Sequence, residues 1–160
     1  MRIWEKELER HSWSRLREAS GSANEIPEAL RAMLGAATAD AVEVAYWKLE
    51  NHVVVQGQLF EVAPYVVSVL MAALVEDSPS YVRVGILELL LQITSGESHT
   101  SEKDTTLGPQ CRARASEGTW LLYGELNADL PGQRAAAIEV LEQIETDRDR
   151  LLMLSQAALE

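Results

Sequence analysis

The side chains of this 160-residue chain that could do chemistry are three histidines, one cysteine and many carboxylates. His11, His52 and His99 lie far apart, with no pair at i,i+4 and no Cys/His spacing that fits zinc. The nearest thing to a ligand set is Glu97-x-His99-x-x-Glu102-x-Asp104, whose composition reads as a solvated polar loop. His52, beside Asn51, follows a helix expected to end near Glu50, where such side chains bond the last free carbonyls. Cys111 falls on the apolar side of its helix with Ala115, Leu122 and Leu126 and reads as a buried, inert thiol. As the only cysteine, it can form no intrachain disulfide. There is no Gly-x-Ser-x-Gly elbow and no phosphate or dinucleotide loop: Gly85, Gly96, Gly118 and Gly124 stand alone. The residue types point to a chain without catalytic residues, metal or cofactor.

Charge is more informative. There are 25 Asp+Glu against 14 Lys+Arg, a formal net charge of −11. Such a polyanion is repelled by DNA phosphates and anionic lipid, which disfavours nucleic acid and membrane surfaces as partners. Residues 1–34 are neutral overall, residues 35–110 carry net −7 and residues 111–160 net −4, so the acidity belongs to the body of the chain and not to a tail. Apolar residues make up 47%, enough for a globular core. The run from Val62 to Val75 is too short to span a bilayer, and the first residues have no signal-peptide apolar core. A cytoplasmic location is the expectation.

Helix signals dominate the elements that must position these residues. Helices are expected from Ile3 to about Ala19, from Pro27 to Leu34, and from a Thr38 cap to Glu50. Another should run from Gln58 to Val75. Ser78-Pro79 offers an N-cap and first-turn proline for a helix ending at Thr94. A polar loop over 97–109 follows, then helices from Gln110 to Leu126, from Asp129/Pro131 to Glu145, and from Asp147 to Ala158. Val53 to Phe60 has the β-branched run and glycine of a hairpin, but no other segment offers a partner strand, so it is read as an extended connector.

Two of these helices repeat. Arg83 to Ile93 aligns without gaps on Arg134 to Ile144, with Arg, Glu, Leu, Gln and Ile recurring 51 residues apart. Each copy follows an Asp and a Pro, and at the same offset Phe60–Val75 falls on Cys111–Leu126. Asp77-x-Pro79-x-x-Val82-Arg83 before a Leu-rich helix, with Asp129-x-Pro131-x-x-Arg134-Ala135-Ala136, resembles the HEAT/armadillo class of α-helical repeats over about residues 38–146. The period of 51 and the polar loop over 97–109 depart from the class. The resemblance implies an all-α fold in which antiparallel helix pairs stack as a short α-α superhelix that binds other macromolecules. Residues 1–35 would form an N-terminal helical cap and residues 147–160 a last helix, all within one domain.

The helical wheel then selects a surface. Tyr81, Gly85, Glu88 and Gln92 share one side of their helix, and Gly132, Ala136, Glu139 and Gln143 are the equivalent side of its repeat. The small residues would let another backbone approach, beside a Glu/Gln ladder. On the helix after Thr38, Val42, Ala45, Tyr46 and Leu49 form the apolar face, whereas Trp47 lies among Asp40, Glu43 and Glu50. Trp is enriched at binding hot spots. Trp4, Trp13 and Trp120 are expected to pack internally. The expectation is an acidic protein-binding module for a basic protein partner, of the character of immunity proteins that neutralise bacterial toxins. The alternatives are a repeat scaffold or small-ligand regulator, and a DNA-acting HEAT-like enzyme.

Overall fold

A computed structural model describes all residues, Met1 to Glu160. It contains nine α-helices: α1 (Ile3–Glu9), α2 (Ile26–Leu34), α3 (Ala39–Val53), α4 (Ala63–Ala73), α5 (Ser80–Thr94), α6 (Leu107–Ser116), α7 (Thr119–Gly124), α8 (Pro131–Ile144) and α9 (Arg148–Leu159). Five two-residue strands complete it: β1 (Arg17–Glu18), β2 (Gly21–Ser22), β3 (Val54–Val55), β4 (Gln58–Leu59) and β5 (Glu97–Ser98). The fold is all-α in character, with packed helix pairs.

The helix starts follow their local chemistry. The Thr38 hydroxyl accepts the Ala41 amide at 3.1 Å, and Asp147 accepts that of Arg150 at 3.0 Å, each satisfying an amide with no intrahelical partner. Pro27, Pro64 and Pro131 sit in first turns, where a missing N–H costs nothing. Pro79 itself takes the cap position before α5, one residue later than the Ser78 cap expected.

Helices α3, α5 and α8 form one row, α5 packing between the other two, and α2 extends it beyond α3. Helices α1, α4 and α6 form a second row with α4 in the middle. Between the rows runs one continuous apolar core. Val66, Val69, Leu70 and Leu74 from α4 and its end, and Ile86, Leu87, Leu90 and Ile93 from α5, are all buried in it. At about 25 cal/mol per Å² of apolar surface, each such side chain contributes roughly 1.5–3 kcal/mol.

Five sequence expectations are corrected. The first helix stops at Glu9; a 3-10 turn at Trp13–Arg15 and the β1–β2 hairpin occupy the stretch up to Ser22. The segment 53–60 does form a hairpin: Val54 pairs with Leu59 and Val55 with Gln58 around Gln56-Gly57, both at positive φ as a two-residue turn requires. The partner strand is β5, parallel to β4, so the polar loop over 97–109 starts as a strand and ends inside α6. Gly96 permits this, since a Cβ there would lie 2.9 Å from the Gly57 carbonyl oxygen and from Leu59. The helix that should have begun at Gln58 therefore begins at Ala63. Finally, the helix expected over 110–126 breaks at Glu117-Gly118 into α6 and α7, where Gly118 leaves helical geometry (φ −116°, ψ 28°) beside the methyl of Met71.

Ion pairs on buried carboxylates tie the elements together. Glu102, almost fully enclosed, accepts from the Arg17 guanidinium at 2.7 Å and from the Glu61 amide at 3.3 Å. Arg83 reaches back to the carbonyls of Leu74 (3.0 Å) and Glu76 (2.6 Å), closing the turn between α4 and α5. It also pairs with buried Glu125, whose second oxygen accepts from Gln133. Arg134, its counterpart 51 residues on, likewise donates to the carbonyls of Ala128 (2.7 Å) and Asp129 (3.1 Å). The Arg of the sequence signature is thus a clasp on the preceding turn.

Candidate functional site

Helices α3, α5 and α8 lie side by side, so side chains on their outer flanks share one surface. Glu50 on α3, Glu88 on α5 and Glu139 on α8 come together there. Partial burial, then Glu139, then Glu50 raise the Glu88 carboxyl above its usual range. Burial and the carboxylates of Glu50 and Glu88 push the Tyr46 phenol well above its ordinary value. No cation offsets the group: none of Asp40, Glu43, Glu50, Glu88 or Glu139 belongs to an ion pair. Glu7, Glu18, Glu102, Glu125 and Glu145 each face a basic side chain, whereas Glu88 faces only other carboxylates.

The remaining candidates divide. Glu43 is exposed on the same flank of α3 as Glu50. Asp40 and Trp47 point further round, and Trp47 is half exposed (50%), its ring edge-on to Tyr46 at 5.4 Å. Gln143 is exposed on α8 one turn beyond Glu139. Tyr81 and Gln92 are partly buried, and Tyr81 packs on the core. Gly85 is buried, because α3 already occupies its side: a Cβ would lie 2.7 Å from a methyl of Val42. The close approach expected for an outside backbone is made inside the molecule, and the stripe on α5 narrows to Glu88.

The chemistry-bearing residues elsewhere have structural partners. His11 sits edge-on between Trp13 and Tyr65 and bonds Glu7 at 2.9 Å. His52 lies inside the last turn of α3, which runs on to Val53 instead of ending near Glu50, and its Nδ1 lies on the Lys48 carbonyl one turn back and not on one of the last free carbonyls. His99 stacks on Phe60 at 4.9 Å. Of its loop neighbours, Glu97 pairs with Arg112, Glu102 with Arg17, and Asp104 accepts from Thr106 and Gln110. These groups point to different partners and do not converge. Cys111 is fully buried, and burial pushes its thiol up to about 12.

Two features were not anticipated. Trp120, expected to pack, is 66% exposed, with the Arg150 guanidinium 5.0 Å from its ring centre. Arg150 also binds the buried Glu145 carboxylate through two bonds of 2.9 and 3.1 Å, and Tyr123 and the Asp147 amide donate to it as well. Chiefly the Arg150 bonds, and with them those of Tyr123 and Asp147, hold Glu145 down at about 2 against the opposing effect of burial. This knot fastens α9 to α7 and α8. The sequence clue was Glu145 five residues before Arg150 across a helix break, a spacing that no helical wheel relates.

No helix is long and apolar enough to cross a membrane. No protein-family model, curated protein or solved structure matches this chain.

Proposed function

We propose that this chain is a non-enzymatic protein-binding module, cytoplasmic and of the HEAT-like helical-repeat type, that binds and neutralises a basic protein partner as an immunity-type inhibitor of a bacterial toxin does. The observation that carries the reading is the cluster of Glu50, Glu88 and Glu139, uncompensated on three adjacent helices, with half-exposed Trp47 further round α3. Carboxylates held close together raise one another's energy, and a basic partner relieves that cost. The two rows of paired helices, with α5 on α8 and α4 on α6, support the repeat reading.

Mechanistically, the carboxylates steer encounter, and Trp47 supplies buried area that slows dissociation. The test is a binding-kinetics series with the partner recovered by pull-down from native cytoplasm. Removing the charges at Glu88 and Glu139 together lowers the association rate, as does raising salt from about 50 to 500 mM, which shortens the Debye length several-fold. Trp47→Ala raises the dissociation rate, by about 2 kcal/mol for a central anchor. Salt-independent association with a neutral or acidic partner refutes the electrostatic half, and a Trp47→Ala variant that binds normally refutes the anchor.

A further inference from the structure

On the flank of α3 opposite Glu43 and Glu50, a groove of about 1030 Å³ runs between α2 and α3 and is closed at one end by the β1–β2 hairpin. Its floor is made of small apolar side chains, among them Ala29 and Ala32 from α2 and Ala41, Val44 and Ala45 from α3. Val44 is 61% exposed, high for an apolar residue in mid-helix. At about 100° per residue, Ala41, Val44, Ala45, Lys48 and His52 share this side of α3. The two walls differ in sign. The α2 wall carries Glu25 and Glu28, and the α3 wall carries Lys48, while His52 below it lies 3.9 Å from the Glu18 carboxylate of the hairpin, so the contrast of sign rests on Lys48 facing Glu25 and Glu28. Glu25, Glu28 and Lys48 form no ion pair within the chain. Because α2 and α3 are joined by a short turn, the start of α2 lies across from the end of α3, which sets these charges opposite one another near the hairpin.

We infer that this groove docks one amphipathic α-helix of a partner protein, its apolar ridge on the alanine floor, its basic residues toward Glu25 and Glu28 and an acidic residue toward Lys48. Small floor residues let a third helix approach α2 and α3 at the usual helix spacing of about 8–10 Å. Walls of opposite sign then fix which way the incoming helix faces, since the reversed helix would set like charges together. The site is separate from the acidic surface of α3, α5 and α8 and stands whether or not that surface binds a basic protein.

The test uses the whole protein as bait for a displayed library of helices of about 15 residues, the length of α3. The apolar stripe is fixed as Leu and Ala, and both flanks vary among Lys, Glu and Gln. Enrichment of helices with Lys on one flank and Glu on the other is expected. Synthetic peptides of those sequences should bind at least about tenfold more weakly to Ala32→Gln/Val44→Gln, which makes the exposed floor polar without adding charge. Lys48→Glu should invert the preference on the second flank, whereas Glu88→Gln/Glu139→Gln should leave binding within about twofold. Both floor positions face solvent at the groove, and unchanged melting temperatures of the variants confirm that the fold is intact. Failure to enrich any helix, flanks of random composition, or peptides that bind the floor variant as well as the native chain would overturn the inference.

Discussion

Glu88→Gln should make the protein more stable. Glu88 stands between Glu50 and Glu139 with no cation nearby, and partial burial adds to the cost of its charge. Like charges on neighbouring surface positions cost roughly 0.2–0.5 kcal/mol each at low salt. Two such neighbours give about 0.5–1 kcal/mol, kept at the low end because Glu88 is exposed enough for solvent to screen it. For a chain of this length that corresponds to about 1–3 °C in melting temperature. A carboxyl whose pKa is raised on folding favours the folded state fully below its unfolded value, and that contribution is lost as pH rises through the folded value. The gain from Glu88→Gln should therefore be present at pH 7 and absent near pH 4. It should also shrink in about 0.5 M salt. Glu117→Gln, on an exposed carboxylate outside the cluster, removes the same unit of net charge and controls for general self-repulsion. Urea titrations of both variants at the two pH values decide the matter. If Glu88→Gln were no more stabilising than Glu117→Gln at pH 7, or kept its advantage at pH 4, the cluster would not be the source of strain described. A stabilised variant that also associated more slowly with the basic partner proposed above would show stability given up for binding.

Two further outcomes concern the buried ion pairs. Arg83→Ala strips the counter-charge from enclosed Glu125 and should cost about 3–5 kcal/mol in a denaturant titration, well above the cost of Arg134→Ala, which loses only carbonyl contacts; equal losses would contradict the roles assigned here. Glu145, held at about 2, contributes stability that is complete above the ordinary carboxylate value and fades as pH falls from about 4.5 toward 2; the gap in urea midpoint between native and Glu145→Gln protein should close over that range, and a gap that stayed constant would refute the assignment.

Helix positions were legible in the sequence wherever a cap or a first-turn proline marked them, as at Thr38, Pro131 and Asp147. The buried faces of α4 and α5 were legible because both helices are almost wholly aliphatic. The β3–β4–β5 sheet was hidden because its third strand is a polar dipeptide with no strand propensity, brought into place by the absence of a side chain on Gly96. The break at Gly118 was hidden because a lone glycine within a helical pattern does not by itself mark a helix end. Of the candidate surface, Glu50, Glu88 and Glu139 could be placed by helical phase within each helix, but their meeting depended on α3 lying beside α5. That contact is also what buried Gly85 and removed it from the surface. The Tyr46 contribution and the Glu145–Arg150 knot depend on pairings across helices and across a helix break, which a wheel cannot display.

The Arg17–Glu102 pair joins residues 85 positions apart, and Arg83–Glu125 joins residues 42 apart. In an open-ended repeat array each unit touches only its neighbours, so units can be added, removed or melted one at a time. Here a buried carboxylate from the middle of the chain is neutralised by the first hairpin, and another from the second half is neutralised by the first half. A polypeptide emerging from the ribosome carries Arg17 and Arg83 before their partners Glu102 and Glu125 are made. The consequence is that the halves are not interchangeable parts: separating them would leave the Glu102 and Glu125 carboxylates enclosed without their counter-charges.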